Sequence, residues 1–122
     1  MITEDWLWRQ VENLNLMVTR LLLGKDRAAY SLPEDTAAYG DTDRLCALVR
    51  ACVKNGACET ALELLDTAEE RCDSGFAELA LEAYSSMNAL GNAALDECEV
   101  SRHDIERGIK RLAEERGFAL WK

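Results

Sequence analysis

The apolar residues of this chain recur at helical spacing, and no segment shows the strict alternation typical of a half-buried strand. The N-terminal segment is the clearest case, because five apolar residues recur four and three positions apart: Leu7, Val11, Leu14, Val18 and Leu21. Glu4 and Asp5 would lie in the first turn, where the helix dipole favours anions, and Gly24 follows the last turn. The pattern predicts a helix over residues 3–23.

The middle of the chain predicts a connector followed by a helical hairpin. Residues 25–41 contain the only proline, Pro33, and we expect a connector there with one short helical turn after Pro33. A second helix is predicted over residues 42–54, and a third begins near Ala57 and extends to Ala68. Only Asn55-Gly56 separates them, so we expect an antiparallel pair.

The last third of the chain predicts two more helices with an ambiguous segment between them. The fourth helix is expected from Phe76 to about residue 90, while residues 93–100 fit either a short helix or a packed loop. Ser101 and Asp104 form the pattern of a capping box for the final helix. We expect the apolar tail, residues 118–121, to pack against the body.

These elements predict an all-α fold. The length of 122 residues fits one hydrophobic core, so residues 1–122 are predicted to form a single-domain bundle of five or six helices. The domain would comprise the long N-terminal helix, the 25–41 connector, and residues 42–122 with the hairpin and the C-terminal helix.

The predicted N-terminal helix is apolar on more than one face. Trp8, Leu16 and Leu23 point away from the main stripe, and such a helix is usually central in its bundle or shared with a partner. We therefore expect a homodimer that uses these three residues. Two alternatives stay open: the connector or the tail covers this face, or the helix lies on a membrane surface. The membrane reading is weaker because Arg9 and Arg20 are offset by nearby acids.

Charge excludes several partners. The chain has a net charge of −9, and residues 31–99 alone carry fifteen acids and four bases. Phosphate backbones are bound through several Lys or Arg contacts, so we expect no nucleic-acid binding. No apolar run approaches the roughly 20 residues that span a bilayer, so we expect no membrane insertion. An acidic N-terminus and an odd number of cysteines favour a cytoplasmic protein with free thiols.

No pattern predicts catalysis, a metal or a cofactor. The five cysteines include no Cys-x-x-Cys pair, and His103 is the only histidine, whereas structural zinc commonly takes two close pairs of ligands. A nucleophilic pair between His103 and a cysteine has no supporting signature. The acidic pairs fit solvated helix faces. We therefore expect no catalytic residue, no metal site and no cofactor.

The hairpin over residues 42–73 resembles one tetratricopeptide repeat. The residues at the repeat's spacings are Leu45, Leu48, Gly56, Ala61, Leu65 and Ala68, while Cys52 and Asp73 depart from the pattern. In that family the first helix of each hairpin lines a peptide groove. The resemblance thus implies that Arg50 and Lys54, four residues apart, would bind an acidic peptide or a terminal carboxylate.

Three further segments carry a second resemblance, to a family of small bacterial proteins of unknown function. They are residues 5–10 (DWLWRQ), 21–26 (LLLGKD) and 101–108 (SRHDIERG). The resemblance covers nearly the whole chain and implies a helical fold in a bacterial cytoplasm, but no activity.

Taken together, the residues favour a non-catalytic protein-interaction or scaffolding protein, in the form of a homodimer. The alternative is a small helical enzyme or ligand-binding bundle with a site between helices. That alternative requires a cavity into which polar groups converge.

Overall fold

The computed structural model describes residues 4–118, with side chains from residue 6 onward. This part of the chain contains six α-helices and no strands: α1 (Glu4–Leu23), α2 (Asp41–Lys54), α3 (Cys58–Asp66), α4 (Phe76–Asn88), α5 (Asn92–Glu97) and α6 (Arg102–Glu115). Two 3-10 turns, Thr36–Ala38 and Glu69–Cys72, lie in the connections. The prediction of a single all-α domain is confirmed.

Local sequence signals account for several helix ends. At the start of α6 the Asp104 N–H donates to Ser101 Oγ (3.2 Å), and the Ser101 N–H donates to Asp104 Oδ2 (2.9 Å), which confirms the capping box. Gly24 and Gly56 follow α1 and α2 with φ of +68° and +78°, a conformation that favours glycine. The ambiguous segment forms the short helix α5.

The fourth helix, α4, is the centre of the bundle. It packs against α1, α2 and α6, and nine of its thirteen residues are buried, including Phe76, Tyr84 and Met87. The central position, one of the two that the apolar faces of the N-terminal helix left open, therefore belongs to α4. Three small alanines in α4, together with its many apolar residues, let neighbouring helices approach it from several sides.

Helix α6 packs closely against α4 at a glycine. A Cβ atom at Gly108 would lie 2.7 Å from the Tyr84 ring, well inside van der Waals contact. Tyr84 is only 1% exposed, and burial raises the pKa of its hydroxyl far above the ordinary value. Gly108 therefore provides the space in which the tyrosine ring packs.

The connector between α1 and α2 is held against α4 by two carboxylates one turn apart. The Ala29 N–H donates to Glu78 Oε2 and the Tyr30 N–H donates to Glu82 Oε1, each at 3.0 Å. Lys25 forms an ion pair with Glu78 as well. Burial opposes ionisation of Glu78, but Lys25 and the Ala29 N–H together lower its pKa.

The end of one helix and the burial of one leucine differ from expectation. Helix α3 ends at Asp66 rather than Ala68, because Ala68 has an extended backbone that leads into the 3-10 turn. In α2 the buried residues are Leu45, Cys46 and Val49. Leu48, which the pattern placed on the apolar face of α2, is 50% exposed. Phe118 packs against the core as expected, and residues 119–121 of the tail lie outside the described residues.

Candidate functional site

The buried face of α1 differs from the predicted stripe. Val11 and Val18 are fully buried, but Leu21 is 43% exposed, so its place in the core stripe is wrong. Asn15 and Thr19 are buried instead. The Asn15 side-chain amide donates to the Leu81 carbonyl of α4 (3.2 Å), and the Thr19 hydroxyl donates to the Asn15 carbonyl (2.7 Å). Because these hydrogen bonds satisfy the two polar groups, the side of α1 that carries Asn15 and Thr19 can be buried.

The outer surface of α1 holds most of the exposed large apolar side chains of the described residues. These are Trp6 (51% exposed), Trp8 (36%), Met17 (42%) and Leu21 (43%), with Leu48 of α2 as the fifth. At about 100° per residue, Trp6, Met17 and Leu21 fall within an arc of roughly 60°, whereas Trp8 lies roughly 150° away, beside the buried face of the helix. We call the side chains of Trp6, Met17 and Leu21 the α1 apolar face.

The three predicted self-association residues occupy different environments. Trp8 is exposed but lies outside the α1 apolar face, and Leu16 is half-buried. Leu23 is half-buried too, but it packs against the core and so contributes to the fold of its own chain. Trp6, Met17 and Leu21 are the exposed residues that the sequence reasoning did not select. The i, i+4 pair of Met17 and Leu21 was the available signal, but the stripe pattern assigned Leu21 to the core.

Arg50 and Lys54 line a groove of about 160 Å³ between α2 and α4. Its floor includes Val49, Val53 and Leu79. The Arg50 guanidinium donates to both carboxylate oxygens of Glu82, at 2.8 and 2.6 Å, and also to the Tyr30 carbonyl.

Arg50 is therefore held inside the fold, and its guanidinium links α2, α4 and the connector. Hydrogen bonding to Glu82 raises its pKa, so it stays cationic. Lys54 is exposed at the rim of the groove and is the more accessible of the two predicted cations.

A second, larger groove of about 920 Å³ lies between α3 and α6. One wall carries Glu59, Glu63 and Asp66, which share one face of α3. The α6 wall carries three bases, and Arg111 pairs with Asp66 at 3.3 Å. The charges are mixed, and the lining contains no cysteine, histidine or serine that could act as a nucleophile or base.

Sequence reasoning missed a buried polar network at the end of α4. Arg102 is 7% exposed, and its guanidinium donates to four oxygens: the Asn88 carbonyl and Oδ1, the Leu90 carbonyl, and Asn92 Oδ1. The Asn88 amide in turn donates to the Trp8 carbonyl of α1 (3.2 Å). A cation suits the carbonyl end of a helix. Nothing in the sequence distinguishes Arg102 from the exposed arginines of α6.

The five cysteines are free thiols. Cys46 and Cys58 are buried, and burial raises the pKa of each thiol to about 11. Among the described residues, no group of three His, Cys, Asp or Glu side chains is arranged to hold a metal ion.

The described helices include none that is long and apolar enough to cross a membrane. Comparison with known proteins adds one relationship: the model of a family of unknown function, DUF6483, matches residues 1–117. No curated protein and no solved structure matches the chain, so the tetratricopeptide resemblance and the bacterial origin stay predictions. Because the family model covers all but the last five residues, the chain belongs to the DUF6483 family, whose function is unknown.

Proposed function

We propose that this protein is a non-catalytic interaction protein that forms a homodimer through the α1 apolar face. The observation that supports the proposal is the concentration of exposed apolar side chains. Four of the five large apolar residues exposed in the described chain belong to one helix. Scattered surface apolar residues are ordinary, but a contiguous patch usually marks an interaction surface.

Burial of this face would release a useful amount of free energy. Full burial of a large apolar side chain contributes roughly 1.5–3 kcal/mol, and the three side chains of this face are between 42% and 51% exposed. A 20-residue helix offers a line of contact of about 30 Å. In a two-fold dimer the same patch is used by both copies, so one interface buries the exposed side chains of both chains.

The charge distribution supports a second copy of the chain as the occupant. Two molecules of net charge −9 repel one another, and the repulsion is strongest through residues 31–99, which have a net charge of −11. Residues 1–30 carry four acids and four bases, so this segment is neutral. Association of two copies through α1 therefore meets the least electrostatic repulsion.

Sedimentation equilibrium tests the proposal with two matched leucines. The wild type at tens of micromolar should sediment as a dimer, and Leu21→Glu should sediment as a folded monomer. Leu48→Glu is the control, because Leu48 is exposed to a similar extent on a different helix. It should remain dimeric. Circular dichroism of each variant establishes that the helices are retained.

Three outcomes contradict the proposal. A monomeric wild type removes the dimer, and equal disruption by Leu21→Glu and Leu48→Glu removes α1 as the interface. If removing residues 119–122 turns a monomeric wild type into a dimer, the tail covers the face within one chain.

The groove between α2 and α4 supports a second candidate function, the binding of a peptide carboxylate. Lys54 and Ser86 line this groove together with apolar residues, and the groove is large enough for a small side chain. This site would make the chain a peptide-binding module of the tetratricopeptide kind in a bacterial cytoplasm. Titration of labelled protein with a peptide ending in Glu should show binding that Lys54→Ala abolishes and Arg44→Ala leaves unchanged. Amidation of the peptide's C-terminus should weaken it.

A further inference from the structure

Two thiols meet where the turn between α2 and α3 lies against the end of α5. The Cys98 Sγ donates to the Gly56 carbonyl at 2.7 Å, which places this sulfur beside the first turn of α3. Cys58 is the first residue of α3, and its thiol is in hydrogen-bond contact with Cys98. Cys52, near the end of α2, lies close to the same pair.

The two sulfurs differ in their access to solvent. Cys58 is 0% exposed, whereas Cys98 is half-buried and so can be reached by a small reagent. A half-exposed thiol in contact with a buried one resembles the arrangement in which one cysteine is oxidised and the other resolves it. A disulfide forms only between cysteines whose sulfur atoms can approach one another, and the contact between these two thiols supplies that approach.

We propose that Cys58 and Cys98 form a reversible oxidative modification site, in which a hydroperoxide converts the two thiols into an intramolecular disulfide. Neither cysteine belongs to α1, so the proposal does not rest on dimer formation.

The chemistry is balanced in two steps. The Cys98 sulfur attacks one oxygen of hydrogen peroxide, the O–O bond breaks, and the products are a Cys98 sulfenic acid and one water. The Cys58 sulfur then attacks the Cys98 sulfur, the S–O bond breaks, and the hydroxyl leaves as a second water with the Cys58 proton. The thiols lose two electrons in total and the peroxide gains two.

The disulfide would join the start of α3 to the end of α5. In the reduced chain Cys98 contacts this junction through its hydrogen bond to the Gly56 carbonyl. The neighbours of the two cysteines, Glu59 and Glu99, line one end of the groove between α3 and α6. Oxidation would therefore fix the width of that end of the groove and close a long loop of the chain, which stabilises the fold.

Mass spectrometry of intact, non-reduced protein tests the site directly. Reduced wild type treated with equimolar hydrogen peroxide should lose two hydrogen atoms and recover them with dithiothreitol. Digestion after Arg, Lys and Glu separates Cys72 from Cys98 and should yield a Cys58–Cys98 cross-linked peptide. The melting temperature should rise by several degrees on oxidation and return on reduction.

Variants identify the pair. Cys98→Ser and Cys58→Ala should each abolish the cross-link, while Cys72→Ser, at an exposed cysteine, should retain it. Circular dichroism checks that the Cys58→Ala variant, changed at a buried position, still folds. Cys98→Ser provides the same test at a half-buried position.

Three results overturn the proposal: no loss of hydrogen from the wild type, a cross-link that pairs Cys98 with Cys52 or Cys72, or oxidation of Cys98 beyond the sulfenic acid without a disulfide. A monomeric wild type that still forms the Cys58–Cys98 disulfide would reject the dimer and leave this site intact.

Discussion

Helices α1 and α4 have similar apolar content in the sequence but opposite roles in the fold. Helix α4 is covered by α1, α2 and α6, and nine of its thirteen residues are buried. Helix α1 packs against α4 and α6 on one side and exposes the three large side chains of the α1 apolar face on the other. A helix with apolar residues on several faces can therefore be central in the bundle, as α4 is, or leave one face uncovered, as α1 does.

The difference between the two helices follows from side-chain size and position along the chain. Alanines in α4 allow close approach of neighbours on several sides, whereas the outer side of α1 carries tryptophan, methionine and leucine. Polar groups add to this. Asn15 and Thr19 direct one face of α1 to α4, and Arg102 caps the carbonyl end of α4.

The largest expected difference in stability is between leucine-to-alanine substitutions in the two helices. Leu81→Ala removes a fully buried side chain of α4 and should lower the free energy of unfolding by about 2–5 kcal/mol. Leu21→Ala removes one that is 43% exposed and should cost less than about 1 kcal/mol. Urea unfolding followed by tryptophan fluorescence, at submicromolar protein so that association does not contribute, measures both. Equal costs would show that α1 and α4 are buried alike.

The ends of the two helices give a smaller contrast. Arg102→Met leaves the carbonyls of Asn88 and Leu90 without their donor and should destabilise the chain by about 1–3 kcal/mol. Arg20, in the last turn of α1, pairs with Asp26 in solvent (59% and 81% exposed), so Arg20→Met should change stability by less than about 0.5 kcal/mol. Urea unfolding followed by tryptophan fluorescence measures both changes. A neutral Arg102→Met would mean that water replaces the guanidinium at the end of α4.

The smallest expected effect concerns the connector between α1 and α2. The Tyr30 hydroxyl donates to Asp43 Oδ1 (2.7 Å), and burial followed by this hydrogen bond raises the pKa of Tyr30 from 10.0 to about 12. The folded chain thus keeps a proton that the unfolded chain releases above pH 10. The stability that this group contributes is present below pH 10 and is lost as the pH rises to about 12.

Melting curves of the wild type and Tyr30→Phe measure this contribution. The wild type should melt a few degrees higher at pH 8, and the difference should shrink as the pH rises through 10. A difference that is constant with pH would show that the hydroxyl contributes through packing and not through its proton.

The sequence predicted the elements better than their packing. The capping box at Ser101, the glycine stops at Gly24 and Gly56, and the hairpin loop at residue 55 are local signals, so they located helix ends within about two residues. The predicted cations illustrate the limit. Arg50 and Lys54 do share a groove, but the partner that holds Arg50 is Glu82, which lies 32 positions away in the chain.

What the sequence by itself determined is the all-α class, the order of the helices and an N-terminal helix with more apolar surface than one packed face needs. The tertiary structure decided which face is covered. Asn15 and Thr19, rather than Leu21, lie against α4, because hydrogen bonds to the Leu81 carbonyl and within α1 satisfy these polar groups on burial. The tertiary structure also decided which arginine is held by hydrogen-bond partners and which two cysteines come into contact. Those partners lie far apart in the chain, so helical periodicity, which relates residues three or four apart, carries no information about them.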